Sequence, residues 1–283
     1  MHQEGTLQER VEYWFAQGAS ALGHRKAEAA FLELRCGLES GELRAAEPDN
    51  SPLGWHVNGW VKRGILLGFR VGALTEISSS HGLSFVDKDT YPPRRFTAKD
   101  CIRIVPGGSS VRAGTYLAKG VVVMPPAYIN VGAYVGECSM VDSHALVGSC
   151  AQIGKHVHLS ASAQIGGVLE PVNANPVIIE DDVLVGGNTG VYEGTIVRKG
   201  AVIAAGTVLT RGTPVYDLVR GEIYKATAET PLIIPEGAVV VPGSRAVNKG
   251  KGQEWGLSVS APVIVKYRDE KTELSLVLED LLR

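Results

Sequence analysis

The sequence contains no C-x-x-C pair, no run of basic residues and no uninterrupted apolar stretch long enough to span a membrane. Each absence excludes something. Cys36, Cys101, Cys138 and Cys150 form no regular disulfide framework, which fits reduced thiols in a cytosolic enzyme. A formal net charge of -2 without a basic cluster leaves no electrostatic footprint for nucleic acid or an anionic membrane, so small molecules and copies of the chain are the expected partners. The opening MHQEGTLQERVEYWFAQG carries acidic residues and no apolar core, so neither a secretory signal nor a membrane span is expected. A cytoplasmic location is the default expectation. At 283 residues and 45% hydrophobic, the chain buries a sizeable core. Helix-forming stretches are confined to its ends, while glycine is abundant at 34 residues, and that imbalance points to a repeat.

The repeat has a period of six: Val105, Val111, Leu117, Val123, Ile129, Val135, Val141, Val147, Ile153, Leu159 and Ile165 follow without exception. After one slip it resumes as Ile179, Val185, Val191, Val197, Ile203, Leu209 and Val215. Two places before each aliphatic stands a small or β-branched residue, such as Thr115, Ala133, Ala145, Ala163, Thr189 or Thr207. Residues two apart on a strand share a face, so every unit turns one small and one large side chain inward. Glycines fall three places after many of the aliphatics (Gly114, Gly120, Gly132, Gly200, Gly206), where a corner needs a permissive backbone.

A six-residue strand-and-corner unit cannot cover its own apolar face, so such units wind into a coil and stack at roughly 4.8 Å spacing. Three units per turn make a triangular prism. The pattern resembles the hexapeptide-repeat proteins, which implies a left-handed parallel β-helix with coils of 18 residues. An amphipathic helix is excluded, because the period is not 3.6. The slip between Ile165 and Ile179 holds GGVLEPVNANP, whose prolines and asparagines send a loop out of the prism.

Outside the prism, Leu7, Val11, Trp14 and Phe15 have helical spacing, as do Ala27, Phe31, Leu34 and Leu38. WHVNGWVKRGILLGFRV is ambiguous: Trp60 to Phe69 reads as a helix, whereas GFRVGAL could start a strand. IIPEGAVVVPGSRAV reads as a further partial coil, and PVIVKY as a strand after the linker NKGKGQEWG. The expected organisation is a mainly helical N-terminal domain over residues 1–100, a β-helix over 101–247 and a C-terminal β extension over 248–283.

The segments RIVPGGSSVRAGTYLAKGVVVMPP, YINVGAYVGECSMVDSHALVGSCAQIGKHVHLS and IGGVLEPVNANPVIIEDDVLVGG resemble the tetrahydrodipicolinate N-succinyltransferases of the lysine and diaminopimelate pathway. GWVKRGILLGFRV, VVVPGSRAV and APVIVKY extend the resemblance over most of the chain. It implies transfer of a succinyl group from succinyl-CoA, as co-substrate, to the amino group of ring-opened tetrahydrodipicolinate, without a metal. It also implies a homotrimer, since sites of that family lie between adjacent prisms. An acetyl-CoA-dependent enzyme is the nearest alternative, and a carbonic-anhydrase-like or purely structural prism a more distant one.

The chemistry needs a carboxylate for the nucleophilic amine, backbone N–H groups for the oxyanion and cations for the dicarboxylate. Asp142 in MVDSHA matches the family's essential aspartate, although a plain corner aspartate reads the same way; Ser160 falls one 18-residue coil further on. Arg103 matches the arginine that takes a substrate carboxylate through its planar fork, with Arg112 a second cation. A glutamate often stands in the family where this chain has Gly190, so Glu193 becomes the second catalytic candidate and Glu170 its competitor. Ala205, Gly206 and Arg245 are candidate CoA contacts, with Arg211 and Lys249 as other cations for its phosphates. His144, His156 and His158 read as ordinary corner or interface residues, and one chain's spacing shows no three converging metal ligands.

Overall fold

The computed structural model describes residues 5–78 and 84–268, so residues 269–283 of the expected C-terminal extension lie outside it. Three helices open the chain: α1 (Leu7–Ala16), α2 (Arg25–Ser40) and α3 (Gly59–Val71). Thr6 and Glu9 satisfy two orphan amides at the start of α1 through a reciprocal capping box. Val11, Ala27, Phe31, Leu34 and Leu38, spaced to share helix faces, are buried. The ambiguous apolar patch is divided rather than uniform. Its helix runs to Val71, and the chain then enters the hairpin Leu74–Ser78 with Ser84–Lys88. A shorter hairpin pairs Ala46–Pro48 with Trp55–Val57.

From Ser110–Val111 onward, two-residue strands recur at the repeat's period and pair in parallel with strands one coil away. Tyr134, for example, lies between Tyr116 and Gln152. The result is a left-handed parallel β-helix with three faces, taken here in chain order. The first face carries the outward residues Arg103, Val122, Met140, His158, Leu184, Val202 and Val239. The second carries Ser110, Tyr128, Leu146, Gln164, Gly190 and Val208. The third carries Tyr116, Tyr134, Gln152, Ile178, Ile196 and Ile233. The aliphatics of the repeat form one continuous core along the axis, most of them fully buried.

Three details depart from the sequence frame. In the first coil Ile104, not Val105, stands opposite Val123, and the extra residue before Val111 is absorbed where Gly107 and Gly108 take positive φ. The slip after Ile165 is one lengthened unit, since Ile179 stacks directly on Ile153 and the third face continues. Val215 is buried but does not extend the third face. Pro214 occupies a strand position whose N–H, in each coil below on that face, donates to the next coil, and proline has none to give. The chain leaves the face before this position, and Ile233–Ile234, nineteen residues out of step, forms its last rung, with Ala238–Val241 continuing the first face. Val263–Tyr267 then pairs antiparallel with Ala238–Val241, and Val215–Asp217 and Glu222–Tyr224 continue the first-face sheet beyond it.

The N-terminal domain covers the third face and part of the corner before it. Val131 and Cys150 of the prism share a buried cluster with Phe31, Leu34 and Ile65. Arg44 Nε donates to Gln152 (2.9 Å), and Trp55 Nε1 donates to Glu180 (2.9 Å).

Candidate active site

The corner between the first and second faces carries Asp142. Val141 points into the core, so the residue after it turns outward at the bend. Its Oδ1 accepts the Ser143 N–H at 2.7 Å, which holds the carboxylate at the corner with 29% of the side chain exposed. Pairing of Met140 with His158 sets Ser160 one coil above Asp142, and brings His158 Nε2 to 4.0 Å from Asp142 Oδ2. His158 therefore belongs beside the aspartate on geometric grounds, which its spacing alone did not single out.

The same corner continues upward through Gly186–Gly187 and Ala204–Gly206, because Asn188 N donates to Ala161 and Gly206 N to Gly187. Ala205 and Gly206 are exposed there. The N–H groups of Ala161, Gly187 and Ala205 have no acceptor among the described residues, which leaves three backbone donors, one per coil, in line above Asp142. Above them Val240 accepts from Ala204 N, and the chain passes through Pro242–Gly243 into a hairpin whose exposed Arg245 pairs with Val259. Asp142, Ser160, Ala205 and Gly206 thus follow one edge of the prism, and Arg245 lies on the hairpin that the chain enters beyond its upper end. Arg103 lies on the adjoining first face, exposed, two rungs below Met140, roughly 10 Å at ordinary strand spacing.

Glu193 lies elsewhere, at the corner between the second and third faces. It is exposed, adopts a left-handed φ of 54°, and its Oε2 accepts the Arg211 N–H at 2.8 Å. With Glu170, Tyr192 and Arg211 it lines a cleft of about 810 Å³ roofed by the GGVLEPVNANP excursion. Asp142 and Glu193 are separated by a whole face and two coils, roughly 15 Å or more at ordinary strand rise and spacing, so one chain does not bring them together. Glu170 is exposed on the same cleft as Glu193.

Two other expected cations are already engaged. Arg112 grips Asp87 with bonds of 2.7 and 2.9 Å and lies over the rings of Phe69 and Tyr91. Arg211 Nη2 donates to the Thr227 and Ala228 carbonyls at the second corner, away from the Ala205 edge. Among the described residues no three histidine, cysteine or acidic side chains converge as for a metal ion, and no helix is long and apolar enough to cross a membrane.

Two residues near the cleft escaped the sequence reading. Lys62 of α3 is fully buried, and its Nζ donates to the Ala174 carbonyl at 2.6 Å, pinning the excursion to the N-terminal domain. Burial pulls its pKa below the ordinary value; burial also pushes the neighbouring Cys150 thiol up to about 12, so the ammonium faces a neutral thiol. Its spacing from Ile65 and Phe69 on the apolar face of α3 was the available signal. Tyr192 lies across two glycines: a Cβ on Gly190 would sit 2.4 Å from its ring, and one on Gly166 2.8 Å. Gly190 is therefore the residue that lets Tyr192 form the cleft wall.

Residues 6–71 match the model for the N-terminal domain of tetrahydrodipicolinate N-succinyltransferase, and residues 176–211 match the hexapeptide repeat of succinyl-transferase. The 2,3,4,5-tetrahydropyridine-2,6-dicarboxylate N-succinyltransferase of Azoarcus sp. (strain BH72) is 44% identical over 285 residues, covering 98% of this chain and 98% of its own length. The chain belongs to the tetrahydrodipicolinate N-succinyltransferase family. The enzymes of the same name from Polynucleobacter asymbioticus and Acinetobacter baylyi are 41% and 44% identical, covering 92% and 90% of this chain and 90% and 89% of their own lengths. Membership makes the chain a CoA-dependent N-acyltransferase on the β-helix just described.

Proposed function

We propose that the chain transfers the succinyl group of succinyl-CoA to the amino group of ring-opened tetrahydrodipicolinate, 2-amino-6-oxopimelate, at the Asp142 edge of the prism. Three free amides rising in line from Asp142 are the observation that carries this reading. A pantetheine arm extended along Ala205 and Gly206 meets small side chains and open N–H donors, with Arg245 at the far end for the phosphates. Asp142 receives the proton of the substrate ammonium as its nitrogen attacks the thioester carbonyl. The C–N bond forms, the C–S bond breaks and CoA leaves as a thiol that carries off the second nitrogen proton, which needs no strong acid because its pKa is near 8.5. Ser160 and Arg103 serve the substrate, Arg103 by forking onto a carboxylate. No step requires a metal.

Glu193 enters only from a second chain. A homotrimer that sets the second corner of one prism against the first corner of its neighbour unites the two carboxylates, and the separation of those corners within one chain favours that arrangement. We place the enzyme in the cytoplasm, where succinyl-CoA is available. The three-part division at residues 100 and 247 is the working boundary for variants.

Thiol release from purified protein with the cyclic dicarboxylate, comparing succinyl-CoA with acetyl-CoA, tests the assignment. Faster release from succinyl-CoA is expected; equal or faster release from acetyl-CoA would move the protein to the acetyl-transferring alternative.

A further inference from the structure

The third corner, between the third and first faces, carries a cleft of about 320 Å³ that the reaction does not use. It opens between the Ala46–Pro48/Trp55–Val57 hairpin and the prism, with Gly136 and Gly154 on its floor. Charges around it are mostly paired. Glu180 accepts from Arg198 (2.6 Å) and Trp55 (2.9 Å), Lys155 bonds Glu137 (3.0 Å), and Lys199 lies 3.6 Å from Asp182.

Two groups are left over. Arg44 lies 3.7 Å over the Tyr134 ring and uses only Nε, on Gln152, so both of its terminal nitrogens lack a hydrogen-bond or ion-pair partner among the described residues. A partly desolvated cation without a counter-ion is costly, and burial pulls the guanidinium below its ordinary pKa. Across the cleft, Asp181 accepts one N–H, from Lys155 at 2.8 Å, and has no ion-pair partner among the described residues. Its carboxylate rests on Gly154, where a Cβ would lie 2.4 Å from Oδ1. Burial is the largest influence on Arg44; Tyr134, then Glu47 and then Asp181 act in the opposite direction, and no ion pair joins Arg44 to either carboxylate.

An unpaired fork and an unpaired carboxylate facing a common space match a ligand that carries both charged groups on one carbon. We propose that this cleft binds the zwitterionic backbone of a free α-amino acid, its carboxylate on the Arg44 fork and its ammonium on Asp181. Arginine binds a carboxylate through two parallel bonds, and the volume accommodates a small ligand.

Calorimetric titration of the full chain with L-leucine, L-lysine, L-glutamate and L-phenylalanine tests this. At least one should bind, and its decarboxylated amine and its deaminated acid should each bind at least about tenfold more weakly, the size of one charge-assisted hydrogen bond. Asp181→Asn keeps an oxygen for the Lys155 N–H, so it should fold normally and lose affinity by a similar factor, as should Arg44→Lys. Asp142→Asn should leave binding unchanged. Absence of heat from all four amino acids at millimolar concentration overturns the proposal. So does affinity that survives Asp181→Asn, or that disappears with Asp142→Asn, which would move the ligand to the transfer site.

Discussion

Gly148, at the corner that ends a second-face strand, and Gly190, within one, make different predictions for the same substitution. A Cβ on Gly148 would lie 2.2 Å from the Gly167 backbone nitrogen, 2.5 Å from its Cα and 2.6 Å from the Gly166 carbonyl carbon. These atoms belong to the next coil, at the point where the excursion leaves, and they cannot yield without parting the coils. Overpacking of this kind costs about 1–3 kcal/mol. The three atoms nearest to a Cβ on Gly190 all belong to the Tyr192 side chain, from Cε2 at 2.4 Å to Oη at 3.0 Å. That ring is half-exposed and swings away on its own torsions, while alanine in a strand regains about 0.5–1 kcal/mol relative to glycine. Neither glycine has a positive φ, so left-handed strain does not enter. Gly148→Ala should therefore lower the free energy of unfolding by about 1–3 kcal/mol, and Gly190→Ala should stay within about 1 kcal/mol of the wild type. Urea unfolding with linear extrapolation measures both. Equal losses, or a larger loss for Gly190→Ala, would refute the register of the second face and the placement of Tyr192.

Asp142→Asn keeps an oxygen for the Ser143 N–H, so it should unfold within about 0.5 kcal/mol of wild type while turnover falls by about 10²- to 10⁴-fold. Thiol release and urea unfolding on the same preparation separate the two effects, and near-normal turnover removes Asp142 from proton transfer. Glu193→Gln likewise preserves the acceptor for the Arg211 N–H; a fall in turnover of about tenfold or more is expected, and an unchanged rate leaves Glu193 a corner residue. Lys62 makes a pH prediction. Its folded pKa lies below the ordinary 10.5, so between that depressed value and 10.5 the unfolded chain binds more protons and stability rises with pH. The wild type should gain on Lys62→Met as pH climbs through this window, and a difference that stays flat or shrinks would mean that the ammonium is not desolvated.

The prism was legible in the sequence because one small and one large aliphatic recur in each unit, and that pattern has a single way to bury itself. What the frame concealed lay at its ends. Val105 and Val215 fit the period, yet Gly107–Gly108 shift the first unit and the last rung of the third face is taken by Ile233–Ile234 instead of Pro214–Val215. Asp142 and Ser160 could be stacked from spacing alone, and the register puts them together. Which corners face one another in space was not readable, so Glu193 looked like a partner of Asp142 although a full face separates them. Lys62 was hidden for a different reason. A lysine in an apolar helix reads as surface until a carbonyl from another segment, that of Ala174, is seen to accept its hydrogen bond.

The central claim is that Asp142 and Glu193 meet only between chains, and subunit complementation tests it most directly. Asp142→Asn and Glu193→Gln, each well below the wild-type rate alone, are mixed in equal amounts, unfolded and refolded together. Random assembly of a symmetric ring restores both carboxylates at about a quarter of its interfaces, so about a quarter of the wild-type rate should return. No recovery, under conditions where refolded wild type regains its activity, would contradict the account.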